Sequence, residues 1–201
     1  MLALYAKRFA PAFVVVATLS LSGLTSPSAA IAQTATAAQA EDSDAVLAAR
    51  DYMVATRFTP KFAAKLPALI PNKTGLKIAL QRVPVLENEI AKIHAARLTA
   101  DELREASKFY RTAAGAKYFD FNIEMNANPY TTAEIYRSEV AKRFSPSQRA
   151  EIFAYLNAGV GQKMTRMLPD VLKAIRDAAE QWGRETDKAI GRAARTGADV
   201  S

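Results

Sequence analysis

Apolar residues recur every three or four positions along most of the chain from residue 42 onward. Leu103, Ala106 and Tyr110 follow this spacing, and a longer series keeps one phase from Met164 to Trp182. Such spacing places the apolar side chains on one face of a helix. No stretch alternates apolar and polar residues with the β-branched enrichment typical of strands. The pattern therefore predicts an all-α protein that folds as a compact multi-helix bundle.

The pattern also predicts which side of individual helices faces the core. In the first helix, Val46, Leu47 and Val54 are expected to point inward, and Phe153 is expected to do so in a later one. Pro169 lies inside the last apolar series without changing its phase, so we expect one kinked helix there.

Three short motifs predict where helices begin. In a capping box, a Ser or Thr side chain accepts a hydrogen bond from the third helical residue, and a Glu or Gln there bonds back to the capping residue. The motif occurs from Thr99 to Glu102, from Thr131 to Glu134 and from Ser145 to Gln148.

The sequence contains an internal repeat with a period of about 46 residues. Residues 98–125 and 144–171 share the pattern [ST]-x-x-[EQ]-x6-[FY]-x5-G-x-K. The pattern describes a capped helix, an inward aromatic residue, a glycine that ends the helix or forms a tight junction, and a second helix. A helical hairpin cannot bury its apolar face alone, so the two copies are expected to pack against each other.

The first copy of the repeat carries a resemblance to a known family. It contains TADEL at 99–103, FYRT at 109–112 and GAK at 115–117, with a weaker echo at 145–163. These segments resemble the signature of the domain of unknown function 2059 family. The resemblance implies a small exported bacterial protein with an all-helical domain and no assigned activity, and it supplies no catalytic residue.

The amino-terminal residues are typical of a secretory signal peptide. Lys7 and Arg8 precede an apolar run at 9–24, which is shorter than the roughly 20 residues that span a membrane. An A-x-A cleavage pattern ends at Ala32, and a second candidate ends at Ala40. Cleavage after Ala32 predicts a periplasmic or secreted protein without a transmembrane segment in its mature chain.

The remaining chain is expected to form one domain with short flexible ends. We predict the following division: 1–32 signal peptide, 33–41 flexible leader, 42–190 single helical domain, and 191–201 flexible tail.

Composition excludes several classes of site. The chain has no cysteine and a single histidine, His94, which excludes disulfides, thiolate metal sites, cysteine nucleophiles and multi-histidine metal centres. We interpret His94 as a residue at the edge of the core or on the surface. No metal, cofactor or catalytic constellation is predicted, and a hydrolase using His94 is the least favoured alternative. A non-enzymatic binding module is the leading hypothesis.

Charge suggests where such a module would bind. Lysine and arginine total 27 against 20 acidic residues, for a net charge of +7. Between residues 52 and 86 there is no acid, and six bases occur: Arg57, Lys61, Lys65, Lys73, Lys77 and Arg82. If helical, this segment forms a basic amphipathic element suited to an envelope protein or an anionic envelope surface. Alternatively, its aromatic residues belong to the core and its lysines are merely solvated.

Two further expectations concern partners. Nucleic acid is not expected, because export separates the protein from it, and the oligomeric state is left open. A second hypothesis is a carrier that holds a small apolar ligand between the two hairpins, near Tyr110, Tyr155 and Met164. The alternative for these three residues is an ordinary core stripe.

Overall fold

A computed structural model of the protein describes residues 43–128 and 130–196, and it confirms the all-α prediction. Within these ranges there is no β-strand, and no helix is long and apolar enough to cross a membrane. The predicted signal peptide and leader lie outside the described residues. The helices are α1 (Asp44–Ala55), α2 (Phe58–Ala63), α3 (Leu66–Leu69), α4 (Lys73–Ala95), α5 (Ala100–Arg111), α6 (Ala113–Ala127), α7 (Ala133–Arg143), α8 (Pro146–Asn157) and α9 (Gly159–Thr196).

Helix α1 forms the centre of the core and contacts both α4 and α5. Val46, Ala49 and Met53 are almost completely buried on its inner face. The prediction that Leu47 and Val54 face inward is wrong, because they are 51% and 63% exposed. The buried face combines alanines with the larger Tyr52 and Met53, so the size of the apolar side chains alone does not identify it.

Ion pairs at the surface fix the direction of α1 relative to α5. Arg104 pairs with Asp44, and Arg111 pairs with Asp51 through a 3.0 Å bond from Nη1 to Oδ2. Both pairs join positions 60 residues apart, so the two helices run in the same direction. Exposed pairs of this kind contribute at most about 1 kcal/mol each, so they set register more than stability.

Two hairpins, α5–α6 and α8–α9, turn through unusually tight corners. Both predicted capping boxes at their starts are formed, at Thr99 and at Ser145. A Cβ atom built on Gly115 would lie 2.0 Å from the carbonyl oxygen of Phe109, and one on Gly161 would lie 2.1 Å from that of Tyr155. The glycine of the pattern therefore permits a tight junction, where the second helix starts in contact with the last turn of the first.

The two hairpins contact each other through corresponding positions. The rings of Phe109 and Tyr155 stack with centroids 3.9 Å apart. Lys163 donates to both carboxylate oxygens of Glu102, at 2.7 and 2.8 Å. Burial alone would raise the pKa of Glu102, but hydrogen bonds from Lys163 and Thr99 outweigh it and lower the pKa. The second hairpin is thus tied to the cap of the first.

The reciprocal contact uses the other lysine of the pattern. Lys117 donates to the carbonyl oxygen of Arg143, and its Nζ lies 5.1 Å from the ring centroid of Phe144. These two residues directly precede Ser145, which caps α8. Each lysine of the pattern therefore reaches the start of the opposite hairpin.

Two boundaries differ from the predictions. The box from Thr131 to Glu134 is wrong by one residue, since Thr132 caps α7 and accepts from the N–H of Ile135, while the Thr131 hydroxyl donates to the Met125 carbonyl. Helix α9 continues to Thr196, so residues 191–196 are helical rather than tail.

Two further predictions concern positions inside helices. Phe153, predicted to face inward, is 47% exposed, so that prediction is wrong. Pro169 lies within α9, as the unbroken apolar phase predicts.

Candidate functional site

A cavity of about 120 Å³ lies where α1 and α4 meet the two hairpins. Aromatic and aliphatic side chains form most of its wall, and no Asp, Glu, Lys or Arg lines it. The lining includes Tyr52, Met53, Ile90, His94, Tyr110, Tyr118, Phe119, Ile123, Tyr155, Leu156, Met164, Leu168 and Leu172. Phe119, Ile123, Leu156 and Leu168 are only half-buried, so this side of the cavity is close to the protein surface.

Three tyrosines from three different helices meet in the wall of the cavity. The rings of Tyr52 and Tyr110 meet edge to face at 5.6 Å, and those of Tyr110 and Tyr155 at 5.8 Å. Burial raises the pKa of each hydroxyl far above its ordinary value of 10. All three are therefore neutral groups that donate and accept hydrogen bonds.

The structure brings together the three residues of the predicted ligand face. Tyr110 lies on α5, Tyr155 on α8 and Met164 on α9, and all of them line the cavity. The hydroxyl of Tyr155 donates to Sδ of Met164 at 3.0 Å. Repeat positions from both hairpins thus contribute to one concave surface.

His94 is buried in the cavity wall, which corrects its interpretation as a residue at the core edge or on the surface. Only 7% of it is exposed, and its ring meets that of Tyr52 edge to face at 5.1 Å. Burial, with the positive charge of Arg97, lowers the pKa of His94 from 6.5 to about 4, so the imidazole is neutral at pH 7. Its Nδ1 atom is buried and has no hydrogen-bond partner within the described part of the chain.

Sequence reasoning missed Tyr52 and undervalued His94 as cavity residues. His94 lies four positions after the buried Ile90, and Tyr52 is adjacent to the buried Met53. Helical phase could therefore have placed both on inner faces. It could not have shown that the helices around these residues leave a space between them.

The six residues of the predicted basic surface do not form one helical face. Arg57 has a left-handed backbone conformation, with φ of 54°, at the junction between α1 and α2. Lys61 lies in α2, and Lys65 precedes α3. Lys73, Lys77 and Arg82 belong to a separate helix, α4. The spacing of four residues from Arg57 to Lys65 is therefore not the periodicity of one helix.

Lys61 is held by neighbouring groups rather than presented to solvent. It forms an ion pair with Asp120, donates to the carbonyl oxygen of Thr56 at 3.1 Å, and lies 4.7 Å from the ring centroid of Phe119. The apolar side of the same segment is also occupied, since Phe62 meets Trp182 edge to face at 5.5 Å. The aromatic residues of this segment thus pack on the core.

Arg82 connects α4 to α9. Its Nε donates to the hydroxyl of the fully buried Thr186 at 3.1 Å, and its Nη2 donates to Glu185 at 3.0 Å. Its carbonyl oxygen accepts from Nε1 of Trp182 at 2.7 Å. Arg82 therefore has a structural role.

We expect Arg82→Met to lower the free energy of unfolding by about 1–3 kcal/mol, because it leaves the buried Thr186 hydroxyl without this partner. Urea denaturation measures the change. Lys73→Met removes a charge from an exposed position on the same helix and is expected to change stability by less than about 0.5 kcal/mol. Equal effects of the two substitutions would contradict a structural role for Arg82.

Within the described residues, no group of three or more His, Asp or Glu side chains is placed to hold a metal ion. The chemistry that the cavity offers is apolar contact plus hydrogen bonding by neutral groups.

Comparison with known proteins supports the resemblance seen in the first copy of the repeat. Neither the curated proteins nor the solved structures yield a match to this chain. Residues 85–127, which comprise the end of α4, all of α5 and α6, and part of the cavity wall, match the family model described as "Uncharacterized protein conserved in bacteria (DUF2059)".

Proposed function

We propose that the protein binds a small, largely apolar molecule in the cavity without catalysing a reaction on it. The observation that carries this proposal is a cavity of about 120 Å³ with neutral walls and a buried, unpaired Nδ1 atom on His94. Apolar pockets with a few polar groups are typical of small-molecule sites.

The proposal rests on the cavity rather than on the basic segment. Contact of residues 57–82 with an anionic surface is supported by the acid-free sequence, but Lys61 and Arg82 are engaged in intramolecular bonds. The amino-terminal pattern of residues 1–32 supports binding in the periplasm or outside the cell, where a carrier or sensor of apolar molecules would act.

Toluene serves as a simple probe of the cavity. At ten times its Kd, a ligand that binds only the folded protein raises the free energy of unfolding by about 1.4 kcal/mol. We expect this stabilisation for the wild type in urea denaturation with and without toluene. Its absence would contradict the proposed function.

A substitution that fills the cavity provides the matching test. Ile123 lines the cavity and is half-buried, so Ile123→Trp is expected to occupy the space and abolish the stabilisation by toluene. Ile135 is 43% exposed and does not line the cavity, so Ile135→Trp is the control and is expected to respond like the wild type. If toluene raises the free energy of unfolding of Ile123→Trp as much as that of the wild type, toluene binds outside the cavity.

A further inference from the structure

His94 is a residue of the cavity wall with a buried side-chain atom, Nδ1, that lacks a hydrogen-bond partner within the described residues. Three buried side-chain nitrogen or oxygen atoms within the described residues have no hydrogen-bond partner: Thr59 Oγ1, His94 Nδ1 and Arg176 Nε. Of these residues, His94 alone lines the cavity. Nδ1 itself has almost no accessible surface. A turn of the imidazole about its Cβ–Cγ bond presents this atom to a ligand in the cavity, which then satisfies a polar atom that the protein leaves unpaired.

The charge of the wall restricts the ligand to a neutral molecule. No acidic or basic side chain lines the cavity, and the imidazole of His94 is neutral at pH 7. A carboxylate or an ammonium group would lose its hydration without gaining a counter-charge, which is costly. A hydroxyl group suits Nδ1 in either tautomer, because it donates to an unprotonated nitrogen and accepts from a protonated one.

The size and the lining favour a single aromatic ring. An apolar cavity of roughly 150 Å³ admits benzene, so a volume of about 120 Å³ suits one ring better than two. Aromatic rings from Tyr52, Tyr110 and Phe119 line the cavity, as does the thioether of Met164. Edge-to-face ring contacts and sulfur–aromatic contacts both favour an aromatic ligand.

We propose that the cavity binds a neutral single-ring phenol whose hydroxyl group forms a hydrogen bond with Nδ1 of His94. This inference rests on the proposed function and specifies the ligand class. The ring would occupy the space between the hairpins, and the hydroxyl would point toward α4.

The test compares phenol with toluene, which has nearly the same size and lacks the hydroxyl. The two compounds differ in water solubility. The informative quantity is therefore, for each compound, the ratio of its Kd in His94→Phe to its Kd in the wild type. We expect His94→Phe to weaken phenol binding about tenfold and to change toluene binding by less than about threefold. In His94→Asn, the amide restores a polar atom close to the position of Nδ1 and is expected to recover part of the loss.

A second measurement needs no substitution and remains valid if His94→Phe does not fold. Because the chain has one histidine, its imidazole nitrogen signals are unambiguous in NMR spectra of untagged protein. Phenol is expected to shift the Nδ1 resonance by several parts per million and toluene to leave it nearly unchanged.

The outcomes separate the two proposals. The phenol inference is overturned if toluene binds but phenol leaves the Nδ1 resonance unchanged. It is also overturned if His94→Phe raises the Kd of both compounds by the same factor. In either case the cavity still binds apolar molecules. If neither compound binds, the proposed function itself fails.

Discussion

Alanine at Gly115 or Gly161 is expected to lower the free energy of unfolding by about 3 kcal/mol or more. In most helices, replacing glycine by alanine stabilises the protein by about 0.5–1 kcal/mol, because alanine loses less conformational entropy. Here the new Cβ atom would lie about 2 Å from a backbone carbonyl oxygen of the preceding helix. A backbone atom cannot move aside as a flexible side chain does, so the corner itself must open.

Gly159 offers a matched control in the second hairpin. It lies two residues before Gly161, and a Cβ atom built on it meets nothing within 4 Å. Gly159→Ala is expected to be neutral or slightly stabilising. Urea denaturation of the three variants, followed by circular dichroism, measures the differences. If all three glycines tolerate alanine equally, the tight junctions do not exist in solution.

Mild acid is expected to destabilise the protein through His94. Its pKa is about 4 in the folded protein and 6.5 ordinarily, so the unfolded chain takes up a proton first as the pH falls. The stabilisation is complete above the unfolded pKa of 6.5, and it is lost progressively as the pH falls toward the folded pKa of about 4. Linkage predicts that the free energy of unfolding falls by about 2 kcal/mol from pH 7 to pH 5, and by about 3 kcal/mol at pH 4.

The variant His94→Phe separates this effect from the titration of carboxyl groups. Paired acids such as Asp51, whose pKa is lowered by its hydrogen bond to Arg111, titrate mainly below pH 5 and are present in both proteins. Urea denaturation at pH 7, 6 and 5 is therefore expected to show the decline in the wild type and little change in His94→Phe. Parallel declines in both proteins would show that His94 is not buried as described.

Local signals in the sequence predicted local structure well. The capping boxes at Thr99 and Ser145 involve residues three positions apart, so the motif contains every atom that the cap requires. The start of α7 was predicted one residue too early because two adjacent threonines can both cap a helix. The hydroxyl of Thr131 donates to the carbonyl oxygen of Met125, and Thr132 forms the cap.

Features that depend on packing between distant segments could not be predicted in this way. Three of the six buried residues of α1 are alanines, and the larger Leu47 and Val54 on its outer side misled an interpretation based on apolar size. The cavity is an extreme case. Its walls come from residues more than 100 positions apart, and its volume depends on how helices fail to fill the space between them.

The proline within α9 has a consequence for how the cavity is reached. Pro169 has no N–H to donate to the carbonyl oxygen of Thr165, and both Thr165 and Leu168 line the cavity. The part of α9 before this point is tied to Glu102, whereas the part after it is fastened to α4 through Trp182. Bending at Pro169 breaks fewer hydrogen bonds than bending elsewhere in the helix. The weakest point of the longest helix thus lies in the wall of the cavity.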